Sequence, residues 1–143
     1  MSNFQKKYEL TDESIQSQDR EIKRTITLYH IRAIRDFADV KAGDLGGFIE
    51  KESNLSHDDN CWVYDKARVF QNARVFENAK IFNNAIIMGL VYGNAKVTGY
   101  HTIRGLVHGN ARLKRNGHSY VKQNVYYAYG ILRIVKFMKM IPL

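Results

Sequence analysis

The chain has 143 residues, a net charge of +8 and 45% apolar residues, which fits one globular domain of ordinary composition. Its single cysteine, Cys61, excludes an internal disulfide and a metal site built on several thiolates. No long uncharged apolar run suits a transmembrane helix, and the opening MSNFQKKYELTDES lacks the apolar core of a signal peptide, so a cytoplasmic protein is expected.

The charge is unevenly placed. Residues 1–77 hold 12 Lys/Arg and all 14 Asp/Glu, whereas residues 78–143 hold 10 Lys/Arg and no acid. That asymmetry is the footprint of an anionic partner, either nucleic acid or an acidic protein surface, although a basic face also serves solubility.

Three segments follow along the chain: 1–50, 51–123 and 124–143. In the first, KYEL is a short strand candidate, and polar residues 11–24 read as a loop or short helical turn. TITLYHIRAIRDF, residues 25–37, is rich in β-branched and aromatic residues and predicts a strand. Gly43, Gly46 and Gly47 then read as tight turns; GDLGG lacks the Lys-Ser/Thr of a phosphate-binding P-loop.

Residues 51–123 are repetitive. ARVFQNARVFENAKIFNNA, residues 67–85, returns to the same phrase every six residues. An α-helix repeats at 3.6 residues and a plain strand at 2, so six implies a short strand plus a corner. The inward column is Val63, Val69, Val75, Ile81 and Ile87, with Ala67, Ala73, Ala79 and Ala85 two positions before the last four. Arg68, Arg74 and Lys80 point outward, as do Tyr64, Phe70, Phe76 and Phe82, and Gln71-Asn72, Glu77-Asn78 and Asn83-Asn84 make the corners, where Asn tolerates left-handed angles. Three sides close a coil of about 18 residues, and coils stack by parallel pairing. GLVYGNAKV at 89–97 recurs as GLVHGNARL at 105–113, an offset of 16 that implies a shortened or bulged coil rather than a new fold. The fold class is therefore all-β, a short β-solenoid with an N-terminal β cap.

The run DVKAGDLGGFIEKESNLS followed by CWVYDKARVFQNARVF, with Gly93-Asn94-Ala95 and Gly109-Asn110-Ala111, resembles the YdcK-type β-solenoid proteins with hexapeptide-like repeats. Many of these occur in bacteriophage and prophage genomes, and they have no agreed chemistry. The resemblance covers about residues 25–113 and implies a left-handed coil. The chain departs from the family phrase by placing Gln71, Glu77 or Asn83 where the corner Gly stands.

The last segment is apolar and basic. ILRIVKFMKMIPL places Arg133, Lys136 and Lys139 three residues apart among aliphatics. A solenoid end needs covering, so this segment reads as a cap or dimerisation element, with Ile131, Leu132, Val135 and Phe137 as the contact residues, in preference to a membrane-surface helix.

Chemistry is sparse. Hexapeptide-repeat acyltransferases use a histidine base at a subunit boundary, and His101, His108 and His118 are the candidates here. His108 replaces Tyr92 in the 16-residue repeat, hence an outward position, and no carboxylate follows Glu77 to orient any of the three. His57, Asp58 and Asp59 form a hydrophilic turn rather than a metal site. Cys61 reads as a buried thiol at a coil end. No catalytic residue, metal or cofactor is expected.

What remains is the exterior. An aromatic ladder of Tyr64, Phe82 and Tyr100, spaced by 18, and a basic face of Lys96, Arg104, Arg112, Lys114 and Arg115 are the candidate binding residues. The ladder could equally serve only to stabilise the stack. The reading is a non-enzymatic binding protein, an inhibitor of a bacterial defence system such as an anti-CRISPR protein. Its partner would be a bacterial protein or ribonucleoprotein effector with an acidic surface. Direct RNA or DNA binding, an acyltransferase relative and a structural phage protein are the alternatives, and a homodimer is allowed.

Overall fold

The computed structural model describes residues 5–19, 23–113, 120–121 and 126–127. Strands β1 (Tyr8–Asp19) and β2 (Arg24–Ala33) pair antiparallel, and β3 (Leu45–Ile49) pairs antiparallel with β2. The polar stretch expected to be a loop or helical turn is thus strand through Asp19. It escapes the alternation rule because β1 is an edge strand, with a register shift between Leu10 and Ser14. The next strand ends at Ala33, short of the expected Phe37, which instead bridges Val40.

Only one of the three glycines read as turns behaves that way. Gly43 has φ +98°, which a side chain disfavours. Gly46 and Gly47 lie inside β3, where a Cβ would stand 2.6 Å from the Val63 carbonyl oxygen and 2.5 Å from that of Ala67, respectively. Their service is close approach of β3 to the first coil. A 3₁₀ turn, Glu52–Asn54, follows.

The repeats then wind as expected. Each Ala-x-Val phrase gives a two-residue strand, and the strands fall in chain order on three sides: β4 (Trp62–Val63), β5 (Arg68–Val69), β6 (Arg74–Val75), β7 (Lys80–Ile81), β8 (Ile86–Ile87), β9 (Leu90–Val91), β10 (Lys96–Val97), β11 (Thr102–Ile103), β12 (Leu106–Val107), β13 (Arg112–Leu113), β14 (Tyr120–Val121) and β15 (Tyr126–Tyr127). Every third strand pairs in parallel, giving sheets β4-β7-β10-β13, β5-β8-β11-β14 and β6-β9-β12-β15, with β3 joined to β5. The chain is a β-solenoid of about four turns. Backbone amides hydrogen-bond to the next coil, as where Lys80 N–H donates to the Ala95 carbonyl at 3.0 Å and Phe82 N–H to that of Val97 at 2.8 Å.

The interior is a column of small and aliphatic side chains, with His101 taking the place of an alanine in the third coil. Val63, Val69, Val75, Ile81 and Ile87 are buried, as are Ala67, Ala73, Ala79 and Ala85. Burying one Val or Ile contributes about 1.5–3 kcal/mol, and here it also brings the inter-coil hydrogen bonds into a dry environment. Cys61 takes the alanine position of the first coil, buried as expected.

The change of beat has a local cause. Between β5 and β6 runs the corner Phe70 to Ala73, but between β8 and β9 stand only Met88 and Gly89. Trp62 therefore pairs with Lys80 across a full coil, whereas Lys80 pairs with Lys96 and Lys96 with Arg112 across shortened ones. Corner bonds carry the same change: Asn83 bonds back to Asp65 at a sequence separation of 18, and Gly93 to Glu77 at a separation of 16.

The corners depart from the asparagine reading. The left-handed residue is the first of each corner pair, Asp65, Gln71, Glu77 and Asn83, with φ between +58° and +60°, replaced by Gly93, Gly99 and Gly109 higher up. Side chains at this position and the backbone of the next coil compensate one another: Asp65 accepts from Asn83 N–H at 2.8 Å, Glu77 from Gly93 N–H at 2.9 Å and Asn83 from Gly99 N–H at 2.9 Å. Among the described residues the Gln71 side chain accepts no such bond, so Gln71→Gly is expected to stabilise the protein by about 0.5–1 kcal/mol, read as a higher urea midpoint at unchanged slope.

Candidate binding surface

Alternation places one outward residue beside each inward one, so parallel register turns the sequence into vertical columns. On the β4-β7-β10-β13 side the column above Trp62 is Lys80, Lys96 and Arg112. Lys80 and Lys96 are half-buried and Arg112 is exposed. Two positions later along the same strands lie Tyr64 and Phe82, rings stacked at 4.4 Å and 14°. On the other flank runs an asparagine ladder, Asn78 donating to Asn94 and Asn94 to Asn110, each at 3.4 Å.

A carboxylate already sits at the lower end of this surface. The Tyr64 hydroxyl donates to Asp39 at 2.7 Å, and the Lys80 ammonium lies 3.9 Å away. The Tyr64 bond, aided by Lys80 and Lys96, holds the Asp39 carboxyl below the usual range, while burial and Asp39 push the Tyr64 phenol up. For a polyanion bound at this candidate surface, Asp39→Asn is expected to tighten binding about two- to threefold at low salt, because an anion is removed from the edge of a cationic column. Titration of a labelled polyglutamate measures it.

The sequence-predicted residues are partly brought together. Lys96 and Arg112 share the column; Lys80 belongs with them, although the basic face expected from the sequence omits it. Arg104 stands instead above Met88 on the neighbouring β8-β11 side. Tyr100 is off the ladder: Val97 pairs with Ile81, so the position above Phe82 is Thr98, and Tyr100 is a corner residue, 60% exposed. Lys114, Arg115, Ile131, Leu132, Val135 and Phe137 lie outside the described residues, as does His118.

One further column differs from expectation. Phe70 is not available outside, since it is buried in a cluster with Ile26 and Leu28 of β2, against which Ile15, Phe48, Ile86 and Met88 pack. The N-terminal hairpin covers that face, and the Arg68 guanidinium reaches Ser17 at 3.5 Å. On the third side Phe76, Tyr92 and His108 stack at 4.8 and 5.1 Å, a ladder that the repeat of Tyr92 and His108 foreshadowed.

Three of the described histidines, His57, His101 and His108, are placed by packing. His108 is the partly exposed end of that stack. His101 is buried at the position Ala85 holds one coil below. His57, read as part of a hydrophilic turn, is a packing centre: its ring stacks on Tyr8 at 4.1 Å, Nδ1 accepts from Lys7 N–H at 3.0 Å, and Nε2 donates to Glu52 at 2.8 Å. That bond, with Lys6, holds the Glu52 carboxyl low. Beneath it, the buried Lys7 ammonium donates to the carbonyls of Asp58, Asp59 and Cys61 and stands 3.5 Å from the Cys61 thiol. Burial pushes Lys7 down and Cys61 up. No signal in the sequence marked Lys7, whose partners are 51 to 54 residues away. Among the described residues no group of three His, Cys, Asp or Glu could hold a metal, and no helix is long and apolar enough to cross a membrane.

These coils define a β-solenoid of hexapeptide-like repeats. No protein-family model matches the chain. It is 41% identical over 63 residues to "Uncharacterized acetyltransferase YdcK" of Escherichia coli (strain K12), a match covering 43% of this chain. The aligned part spans 19% of that relative's length.

Proposed function

We propose that the protein is a non-enzymatic binding module whose working surface is the outside of the solenoid, and that it engages an anionic partner through the column Lys80, Lys96 and Arg112. The observation that carries this reading is the register that stacks three cations on adjacent coils beside an aromatic pair, in a part of the chain that holds no acid after Glu77. Alanine and aliphatic side chains, with Cys61 and His101, fill the described prism, which supports a working surface on the exterior. The narrower role is inhibition of a bacterial defence effector, such as a CRISPR complex, by occupying an acidic protein surface or guide RNA. Its support is the basic column together with the resemblance to repeat proteins found in prophages.

Lys96→Glu/Arg112→Glu is expected to weaken binding to such a partner at least tenfold, with an unchanged far-ultraviolet spectrum. Binding by the parent should fall steeply between low and moderate salt. Unchanged affinity in the double variant contradicts the reading.

A second reading is an acyltransferase relative, favoured by the 41% identity over 63 residues to an Escherichia coli protein called an acetyltransferase. Acetyl transfer from a coenzyme A donor, lost in His108→Ala, would support it. Absence of transfer by the parent chain would remove it.

A further inference from the structure

We propose that the Lys80–Lys96–Arg112 column seats an acidic α-helix of a partner protein, lying along the solenoid axis with carboxylates at positions i, i+3 or i+4, and i+7. This rests on the binding reading above and narrows its partner.

Spacing favours a helix. Residues paired in parallel on adjacent coils repeat at about 4.8 Å, so the three cations span about 9.6 Å. A helix rises about 1.5 Å per residue, so carboxylates at i and i+7 are about 10.5 Å apart along its axis. The difference, about 1 Å, is within reach of flexible Lys and Arg stems. Same-face residues of an extended strand repeat at about 6.8 Å and overshoot by about 4 Å across the same column. Phosphates of a duplex strand advance about 3.4 Å along the axis and fall short.

The aromatic flank points the same way. Tyr64 and Phe82 stack, but the next position up is Thr98, so the ladder stops after two rings. Single-stranded nucleic acid binds on successive aromatic platforms; on this flank there are two, and the three-ring stack of Phe76, Tyr92 and His108 stands on the neighbouring side, across the asparagine ladder. Two rings beside a cation column suit one or two apolar side chains on the shoulder of an amphipathic helix.

The lower end of the column already shows how a carboxylate is held. Asp39 lies between the Tyr64 hydroxyl and Lys80. Higher up, Lys96 and Arg112 have no ion pair among the described residues. Asp39 is a single carboxylate 3.9 Å from Lys80, whose three N–H donors can be shared with a carboxylate from outside, while Lys96 and Arg112 each take one more.

The test uses two labelled Ala-rich peptides of equal composition, each about 20 residues long so that a helix is populated in water. In one, glutamates fall at i, i+3 and i+7 on one face; in the other they are spread around the helix. Fluorescence anisotropy at low salt is run with the full chain, with oligouridylate RNA as a third probe. The striped peptide is expected to bind about fivefold tighter than the spread one, since two better-placed surface pairs suffice for that. Lys96→Gln/Arg112→Gln and Lys96→Glu/Arg112→Glu should both abolish the preference. Equal binding of the two peptides, with loss in both variants, overturns the helix inference and keeps the cationic surface. RNA binding tighter than either peptide also overturns it. If neither peptides nor RNA bind, the surface reading falls as well.

Discussion

Trp62→Ala is expected to cost about 3–5 kcal/mol of stability and roughly 10 °C in melting temperature. Trp62 is 1% exposed and stands at the foot of the column that carries Lys80 one coil above. Its ring meets Tyr8 edge-on at 6.1 Å and Phe37 at 5.2 Å, so it joins the first coil to the N-terminal strands. The Tyr8 hydroxyl is committed to the Leu55 carbonyl at 2.6 Å and the Glu52 carbonyl at 3.0 Å, and cannot slide into the space left by an indole. Relaxation is therefore limited and the cavity term is large. Trp62→Phe should lose much less. Urea unfolding of both variants reads the difference, and a loss below about 1 kcal/mol for Trp62→Ala contradicts the packing described.

Gly89→Val is expected to prevent cooperative folding or to cost more than about 4 kcal/mol. A Cβ at Gly89 would stand 2.1 Å from the Gly105 carbonyl oxygen and 2.7 Å from the Arg104 carbonyl carbon. Both are backbone atoms of the coil above, fixed by bonds such as Leu90 N–H to the Gly105 carbonyl at 3.0 Å. No side chain can swing away, so the second and third coils must part at the shortened corner. Gly43→Ala is the control: nothing lies within 4 Å of its Cβ, and its strain comes only from φ +98°, about 1 kcal/mol. A near-normal thermal transition for Gly89→Val would mean that the corner is not closed as described.

These two sites also show where the sequence was legible. The prism was readable because Ala-x-Val every six residues has no use in a helix, and each inward column residue is buried as the pattern required. The shortened coil was readable from GLVYGNAKV and GLVHGNARL, yet a ladder carried through to Tyr100 keeps the spacing of the first coil beyond the corner that shortens it. Applied consistently, the shorter offset puts Lys80 with Lys96 and Arg112 and sets Arg104 on another side. Non-local contacts left no mark: Phe70 looks outward in its own strand and is covered only because β2 folds across it. Lys7 reads as one more surface cation until three carbonyls from residues 58–61 surround it. Left-handed angles at Gln71 and Glu77 defied local propensity, since stacking on the coils above fixes the corner whatever residue stands there.

The proposed binding surface depends on the register that puts Lys80, Lys96 and Arg112 in one line, and cysteine cross-linking tests that register most directly. In a Cys61→Ala background, Phe82→Cys/Thr98→Cys occupies paired positions on adjacent coils, at a Cα separation that a disulfide spans. Phe82→Cys/Tyr100→Cys tests the alternative register, in which the corner is not shortened. Oxidation should close the first pair rapidly and leave the second as thiols. Preferential closure of the second would contradict the column and the binding surface built on it.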